Sequence, residues 1–210
     1  AKKGEFIFLT GPSGAGKTTL LKLLMCMEKP SSGNIIIDGR NIHRIRPWQI
    51  SHLRRRMGVV FQDFKLLYKR TVFENTAFAL EIVGASKEEI RKRVLYALKM
   101  VGLQDKVNVK PHRLSGGEQQ RVAIARSIVH NPIILLADEP TGNLDPDLTL
   151  DIMEYFETIN ARGTTIIVAT HDYNLVNRYQ RRVVELRKGQ IVADLPTKIE
   201  KSARVDSHTP

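Results

Sequence analysis

The stretch "EFIFLTGPSGAGKTTLLKLLMCM", residues 5 to 27, constrains this chain more than any other. An apolar run stops at a glycine-rich loop, and a helix that is apolar on most of its sides follows. A helix of that kind belongs in a core. Gly11, Gly16, Lys17 and Thr18 satisfy the strand–GxxxxGK[ST]–helix pattern of a phosphate-binding loop. The glycines let successive N–H groups from Gly11, Pro12, Ser13, Gly14, Ala15, Gly16, Lys17, Thr18 and Thr19 converge on phosphate oxygens, apart from Pro12, which has no N–H to give. Lys17 reaches the β- and γ-phosphates, and the Thr18 hydroxyl is offered to Mg²⁺. A tight strand-to-helix turn is the bland alternative, but a strand before and a helix after favour a nucleoside triphosphate site.

Strand and helix patterns then alternate. "GNIIIDG" and "MGVVFQ" read as short strands, and a helical stretch runs from about residue 72 to residue 101. Its second helix opens on Ser86 and Glu89 as a capping box, carries the stripe Ile90, Val94 and Leu98, and closes at Gly102. "PIILLADE" and "GTTIIVATHD" are continuous apolar runs, as expected of parallel strands covered on both faces. "RRVVELRKGQIVAD" reads as a hairpin turning at Lys188-Gly189. The tail from Pro196 is polar, with one helix and a frayed end expected. The alternation gives an α/β fold class: a parallel-sheet core of the P-loop NTPase kind.

In a parallel sheet, ligands sit at the carboxyl ends of the strands. Asp138 and Glu139 therefore emerge beside the P-loop, one carboxylate to organise Mg²⁺ and the other to act as general base or orient the attacking water. Two adjacent acids ending a buried strand are costly without such a task. Gln62 closes "VVFQ", where its amide can touch Mg²⁺ or the lytic water. His171 closes "IIVATH", where it can donate to the γ-phosphate. Taken singly, either is a satisfied strand-end polar group, and Asp145 in "GNLDP" is a turn residue or helix N-cap.

A second phosphate-binding turn stands at "LSGGEQQR", residues 114 to 121. Ser115, Gly116, Gly117 and Glu118 open an amphipathic helix whose free N–H groups and dipole suit an anion. One nucleotide does not need two such loops from one small chain.

At 210 residues the chain is one compact domain or a core with an inserted lobe. No apolar stretch approaches the roughly 18 residues that span a bilayer. Neither an h-region nor a cleavage site opens the chain, and the lone Cys26 lies in an apolar run, so a reduced cytoplasmic setting is expected. The net charge of +11 asks for an anionic partner, and residues 40 to 56, "RNIHRIRPWQISHLRRR", hold no acid. A solvated helix face and a surface for anionic inner-leaflet lipids are both open. No nucleic acid is expected, since Trp48 is the one aromatic in that run.

The order P-loop, Gln62, "LSGGE", "LLADEP", "NLD" and His171 resembles the nucleotide-binding domains of ATP-binding cassette proteins over nearly the whole chain. That resemblance implies ATP hydrolysis with Mg²⁺ held by Thr18, Gln62 and Asp138. It also implies a head-to-tail dimer in which each ATP lies between one P-loop and the partner's signature turn, with Asp145 at the same interface. It divides the chain into an ATP-binding core with a small, incomplete antiparallel β subdomain (1–63 and 126–195), a helical signature subdomain (64–125) and the polar tail (196–210). "VVFQDFKLLYKRTVFENTAFAL" and "GASKEEIRKRV" look like the FtsE-type cell-division branch, which works with the membrane protein FtsX to switch on peptidoglycan hydrolases. Such a chain is peripheral on the inner membrane face, with an FtsX-type subunit expected near residues 62–85. "DEPTGNLD" is shared with branches that release lipoproteins or export macrolides. A soluble cassette acting on DNA or ribosomes would carry insertions for which there is no room, and a kinase has no use for "LSGGE". In the family, the segment that stacks on adenine precedes the P-loop strand and would lie before Ala1, so no adenine residue is assigned.

Overall fold

The structure, a computed structural model, describes residues 1–197. Five parallel strands form its centre in the order β4 (Met57–Val60), β5 (Ile134–Asp138), β6 (Thr165–Ala169), β1 (Phe6–Thr10) and β7 (Arg182–Arg187). β8 (Gln190–Leu195) adds antiparallel to β7. The turn between them is Lys188 (φ 47°) and Gly189 (φ 78°), two left-handed residues as a two-residue hairpin requires. The α/β core read from the apolar runs is therefore present.

Both faces of the sheet are covered at its centre, which is why β1, β5 and β6 are apolar for most of their length. β7 and β8 carry Arg182, Glu185 and Asp194 and are more exposed. Phe6, Phe8, Leu135, Ala137, Ile166 and Val168 point into the larger cluster. Leu9, Leu136 and Ala169 point the other way, onto α1 (Lys17–Leu24) through Leu21. The larger cluster runs on without a break into α3 (Val72–Ile82), α4 (Lys87–Met100) and α5 (Gly116–Ile128) through Leu80, Val94, Leu98 and Ile124. α5 crosses residue 125, so one helix belongs to both the helical lobe and the core. α6 (Pro146–Ala161) and α7 (Tyr173–Tyr179) complete that side. The small β lobe is a two-stranded sheet, β2 (Ile36–Ile37) with β3 (Arg40–Asn41), followed by α2 (Pro47–Arg54).

Several local expectations change. Ser86 caps α4 by accepting from Glu89 N, but the return half of the capping box is not made. Glu89 instead lies 2.8 Å from Arg93, one turn along. Gly102 (φ 67°) ends the helix as expected, and Leu103 N donates to Leu98 O at 2.8 Å. The basic run is not purely a solvated face: Arg54 donates to the carbonyls of Met25 and Cys26 at the end of α1, and Arg56 pairs with Asp38. Cys26 is half-buried, and burial pushes its thiol above the usual range. The helix expected in the polar tail falls on residues outside those described.

Candidate functional site

Strand register gathers the site. Asp138 on β5 faces Ala169 on β6, which in turn faces Leu9 on β1. The chain therefore leaves three neighbouring strands at one edge, carrying Glu139, His171 and the P-loop. β4 ends at Val60, level with Ala137, and delivers Gln62 to the same edge. That is the carboxyl side of the sheet, where a doubly covered parallel fold opens.

The P-loop conformation rests on its glycines. Gly11 has φ 140°, and a Cβ there would stand 2.2 Å from the Leu186 carbonyl oxygen, a backbone clash that excludes any other residue. Gly189, in the β7–β8 turn, donates to Ala15 O at 2.9 Å, so the hairpin props the loop from below. Ala15 turns its side chain into the core, leaving its backbone to the loop. Lys17 is buried and donates from Nζ to Gly11 O at 2.7 Å and Pro12 O at 3.3 Å. Ser13, Gly14, Thr18 and Thr19 are exposed.

Glu139 sits between two cationic or donor groups. Lys17 Nζ lies 3.6 Å from Oε1, and His171 Nδ1 lies 2.9 Å from Oε2. Its backbone is left-handed at φ 47°, a strained conformation for a glutamate and one that clusters at working sites. The strain is held by Glu139 N donating to Ala169 O at 2.9 Å and by Gly142 N donating to Glu139 O at 3.2 Å. Gln62 is exposed and faces this turn: its Nε2 lies 3.8 Å from where a Cβ on Gly142 would stand.

Asp138 ends β5 beside Glu139, half-buried. Burial raises its pKa, a hydrogen bond from Thr18 lowers it, and the charge on Glu139 raises it again. Its Oδ1 is buried without a partner. An orphaned carboxylate oxygen beside a threonine hydroxyl is a donor set that fits Mg²⁺, which takes oxygen ligands and keeps several waters.

The signature turn is elsewhere. Ser115 caps α5 in a complete box: Glu118 N donates to Ser115 Oγ at 3.2 Å and Ser115 N donates to Glu118 Oε2 at 2.9 Å. Gly116 faces open space, whereas a Cβ on Gly117 would stand 2.7 Å from Leu148 on α6. Asp145 caps α6 by accepting from Leu148 N at 2.9 Å, so it does serve as an N-cap. Among the described residues, no hydrogen bond or ion pair joins Ser115–Glu118 to the P-loop.

Sequence reasoning missed Gln120. It is fully buried and donates from Nε2 to Pro140 O, tying the signature helix to the residue after Glu139. Its signal was a polar residue on the buried stripe shared with Gly117 and Ile124.

Residues 1–142 match the family described as ABC transporter. The chain belongs to that family. The cell division ATP-binding protein FtsE of Bacillus subtilis (strain 168) is 53% identical to this cassette over 191 residues, 91% of this chain and 84% of that protein. Among solved structures, the dimeric structure of MJ0796, a bacterial ABC transporter cassette, superposes with a TM-score of 0.86. It is 39% identical, and the match covers 94% of this chain and 88% of that one. A post-hydrolysis state of MJ0796 bound to ADP and Pi gives 0.85. The cassette is an ATPase of the FtsE type. Among its described residues, no helix is long and apolar enough to cross a membrane.

Proposed function

We propose that this cassette is the ATP-driven half of a membrane machine of cell division, peripheral on the inner face of the membrane and working through an integral subunit of FtsX type to control peptidoglycan hydrolysis. The observation that carries the reading is the 53% identity with the cell division ATP-binding protein FtsE of Bacillus subtilis. The head-to-tail dimer is further supported by a signature turn that, among the described residues, makes no hydrogen bond or ion pair to the P-loop of its own chain. Two copies head to tail would bring Ser115, Gly116 and Gly117 of each against the nucleotide held by the other, so ATP joins the copies and hydrolysis releases them.

At each composite site the P-loop amides and Lys17 bind the phosphates. Thr18, Asp138 and Gln62 would hold Mg²⁺, which supplies charge neutralisation on the phosphate oxygens. Glu139 takes the proton of the attacking water or orients it, its carboxylate aimed by Lys17 and His171. His171 can exchange its bond to Glu139 for one to the γ-phosphate. Asp145, at the head of α6 beside Gly117, stands where the copies would meet.

The membrane subunit is proposed to dock near residues 62–85. Tyr68 is 56% exposed there, with Ile82 and Val83 also exposed, and Lys69 stands beside it. Among the described residues Arg40, Arg44, Arg46 and Arg55 are exposed and make no ion pair, which suits anionic inner-leaflet headgroups. Co-purification from detergent-solubilised membranes tests the reading. Recovery of an FtsX-type subunit is expected. Recovery instead of a lipoprotein-releasing or macrolide-exporting subunit would reassign the partner, and a cassette that stays monomeric with Mg-ATP at high concentration would overturn the split site.

A further inference from the structure

The loop from Gln62 to Thr71 joins the proposed ATP site to the proposed docking surface, and its start is strained. Phe64 (φ 58°) and Lys65 (φ 47°) are consecutive non-glycine residues in the left-handed region. Such pairs persist only where their surroundings over-determine them. Here the surrounding group is a half-buried arginine on the signature helix. Arg126 Nη2 donates to Phe64 O at 2.7 Å, and Nη1 donates to Lys65 O at 2.6 Å. No carboxylate lies within ion-pairing distance of Arg126 among the described residues. Its charge is answered by the two carbonyls that the left-handed pair turns toward it, and the planar fork matches two adjacent acceptors in a way a lysine cannot.

The far end of the loop is fixed separately. Asn75, fully buried on α3, accepts from Leu67 N at 2.8 Å and donates to the carbonyls of Leu67, Arg70 and Thr71. Leu66, buried between the two anchors, fills the core. The loop is therefore pinned at both ends, and Arg126 holds the end next to Gln62.

We propose that Arg126 is a positioning residue for hydrolysis: by binding the carbonyls of Phe64 and Lys65, it holds the left-handed turn that aims Gln62 at the ATP site. The proposal rests on Gln62 being a site residue. It also makes the signature helix touch both sides of the site, through Arg126 to the Gln62 loop and through Gln120 to the Glu139 turn.

The decisive experiment asks whether glycine can replace the clamp. Arg126→Ala should lower kcat about 10- to 100-fold, the scale of a misplaced group near the chemistry, with ATP affinity little changed. Arg126→Lys should fall between. Lys65→Gly added to Arg126→Ala should recover part of the lost kcat, because glycine adopts the left-handed conformation without help. Lys65→Gly alone is the reference, since it also removes the ion pair of Lys65 with Asp63. If Arg126→Ala does not fold, the same comparison is made with Arg126→Lys. Loss of thermal stability with no recovery on adding glycine would mean that Arg126 is only structural, and an unchanged kcat in Arg126→Ala would also overturn the proposal. Gln62→Ala is measured beside them. Wild-type hydrolysis by Gln62→Ala would remove the premise, whereas a defect there with full activity in Arg126→Ala would sink the clamp alone.

Discussion

His171 Nδ1 lies 2.9 Å from Glu139 Oε2, and this contact links the ends of two neighbouring parallel strands. Together with Lys17 it holds both oxygens of the carboxylate proposed to attack through water. Glu139→Gln keeps the side chain's shape and its left-handed backbone but removes the base. Hydrolysis should fall by about 10² to 10⁴ while ATP binding remains. Light scattering with Mg-ATP should show a persistent dimer. A monomer would count against ATP as the joining element.

Lys17→Ala removes the buried ammonium that now bonds to the carbonyls of Gly11 and Pro12. Charged hydrogen bonds are worth about 1.5–3 kcal/mol, so ATP affinity should drop by at least about 10- to 100-fold. Nucleotide titration by calorimetry decides it, and affinity within about threefold of wild type would refute the assigned role.

Much of this site could be read from the chain because its chemistry is local. The glycines, Lys17 and Thr18 are adjacent, and the paired acids end an apolar run, so spacing alone places them. What could not be read depends on tertiary contact. Arg126 looks like an ordinary surface residue of an amphipathic helix until the Gln62 loop folds over it, and Gln120 needs Pro140 to explain its burial. The run "DFKLLY" carried no periodicity by which its four apolar side chains could be sorted, and packing sends Leu66 inward and Tyr68 outward. The half-made capping box at Ser86 is similar: Arg93, one turn on, competes for Glu89.

Glu118 gives a pH dependence. The Ser115 backbone N–H holds its carboxyl below the usual carboxylate range, against some burial and with help from Lys106. A depressed folded-state pKa contributes stability above the unfolded-state pKa, and that contribution is lost as pH falls through the folded value. Glu118→Gln should therefore be less stable than wild type near neutral pH, and the two should converge in acid. Urea midpoints measured across that range check this; a difference independent of pH would assign the effect to packing.

Gly116 offers a clean lesion in the signature, because its Cβ position is open, while any side chain on Gly117 meets Leu148. Gly116→Asp adds charge where an anion is proposed to bind, at a helix N-terminus that tolerates Asp. Monomer affinity for ATP should hold and hydrolysis should fall. Mixing Gly116→Asp with Lys17→Ala produces dimers in which one composite site carries both lesions and the other carries none. Partial recovery of hydrolysis in the mixture supports head-to-tail pairing, and a Gly116→Asp monomer that loses ATP binding opposes it.

Tyr68 and Leu66 separate docking from folding. Two residues apart, they are 56% and 6% exposed. Leu66→Ala opens a cavity in the cluster that joins the helical lobe to the sheet, and should cost about 2–5 kcal/mol. Tyr68→Glu sets a charge on the surface, where it removes only a long 3.4 Å contact with Gln119. Its melting temperature and Mg-ATP affinity should match wild type, because the exposed side chain takes no part in the Asn75 bonds that hold the backbone on either side of it. Such a surface change moves stability by about 0.5 kcal/mol or less. Capture of the membrane subunit should be lost, since an apolar anchor between basic neighbours suits a short amphipathic helix and a carboxylate at its centre does not. Thermal melts and pull-down on the same preparation read both effects. A stable, ATP-binding Tyr68→Glu cassette that still captures the membrane subunit would move the docking surface away from this loop.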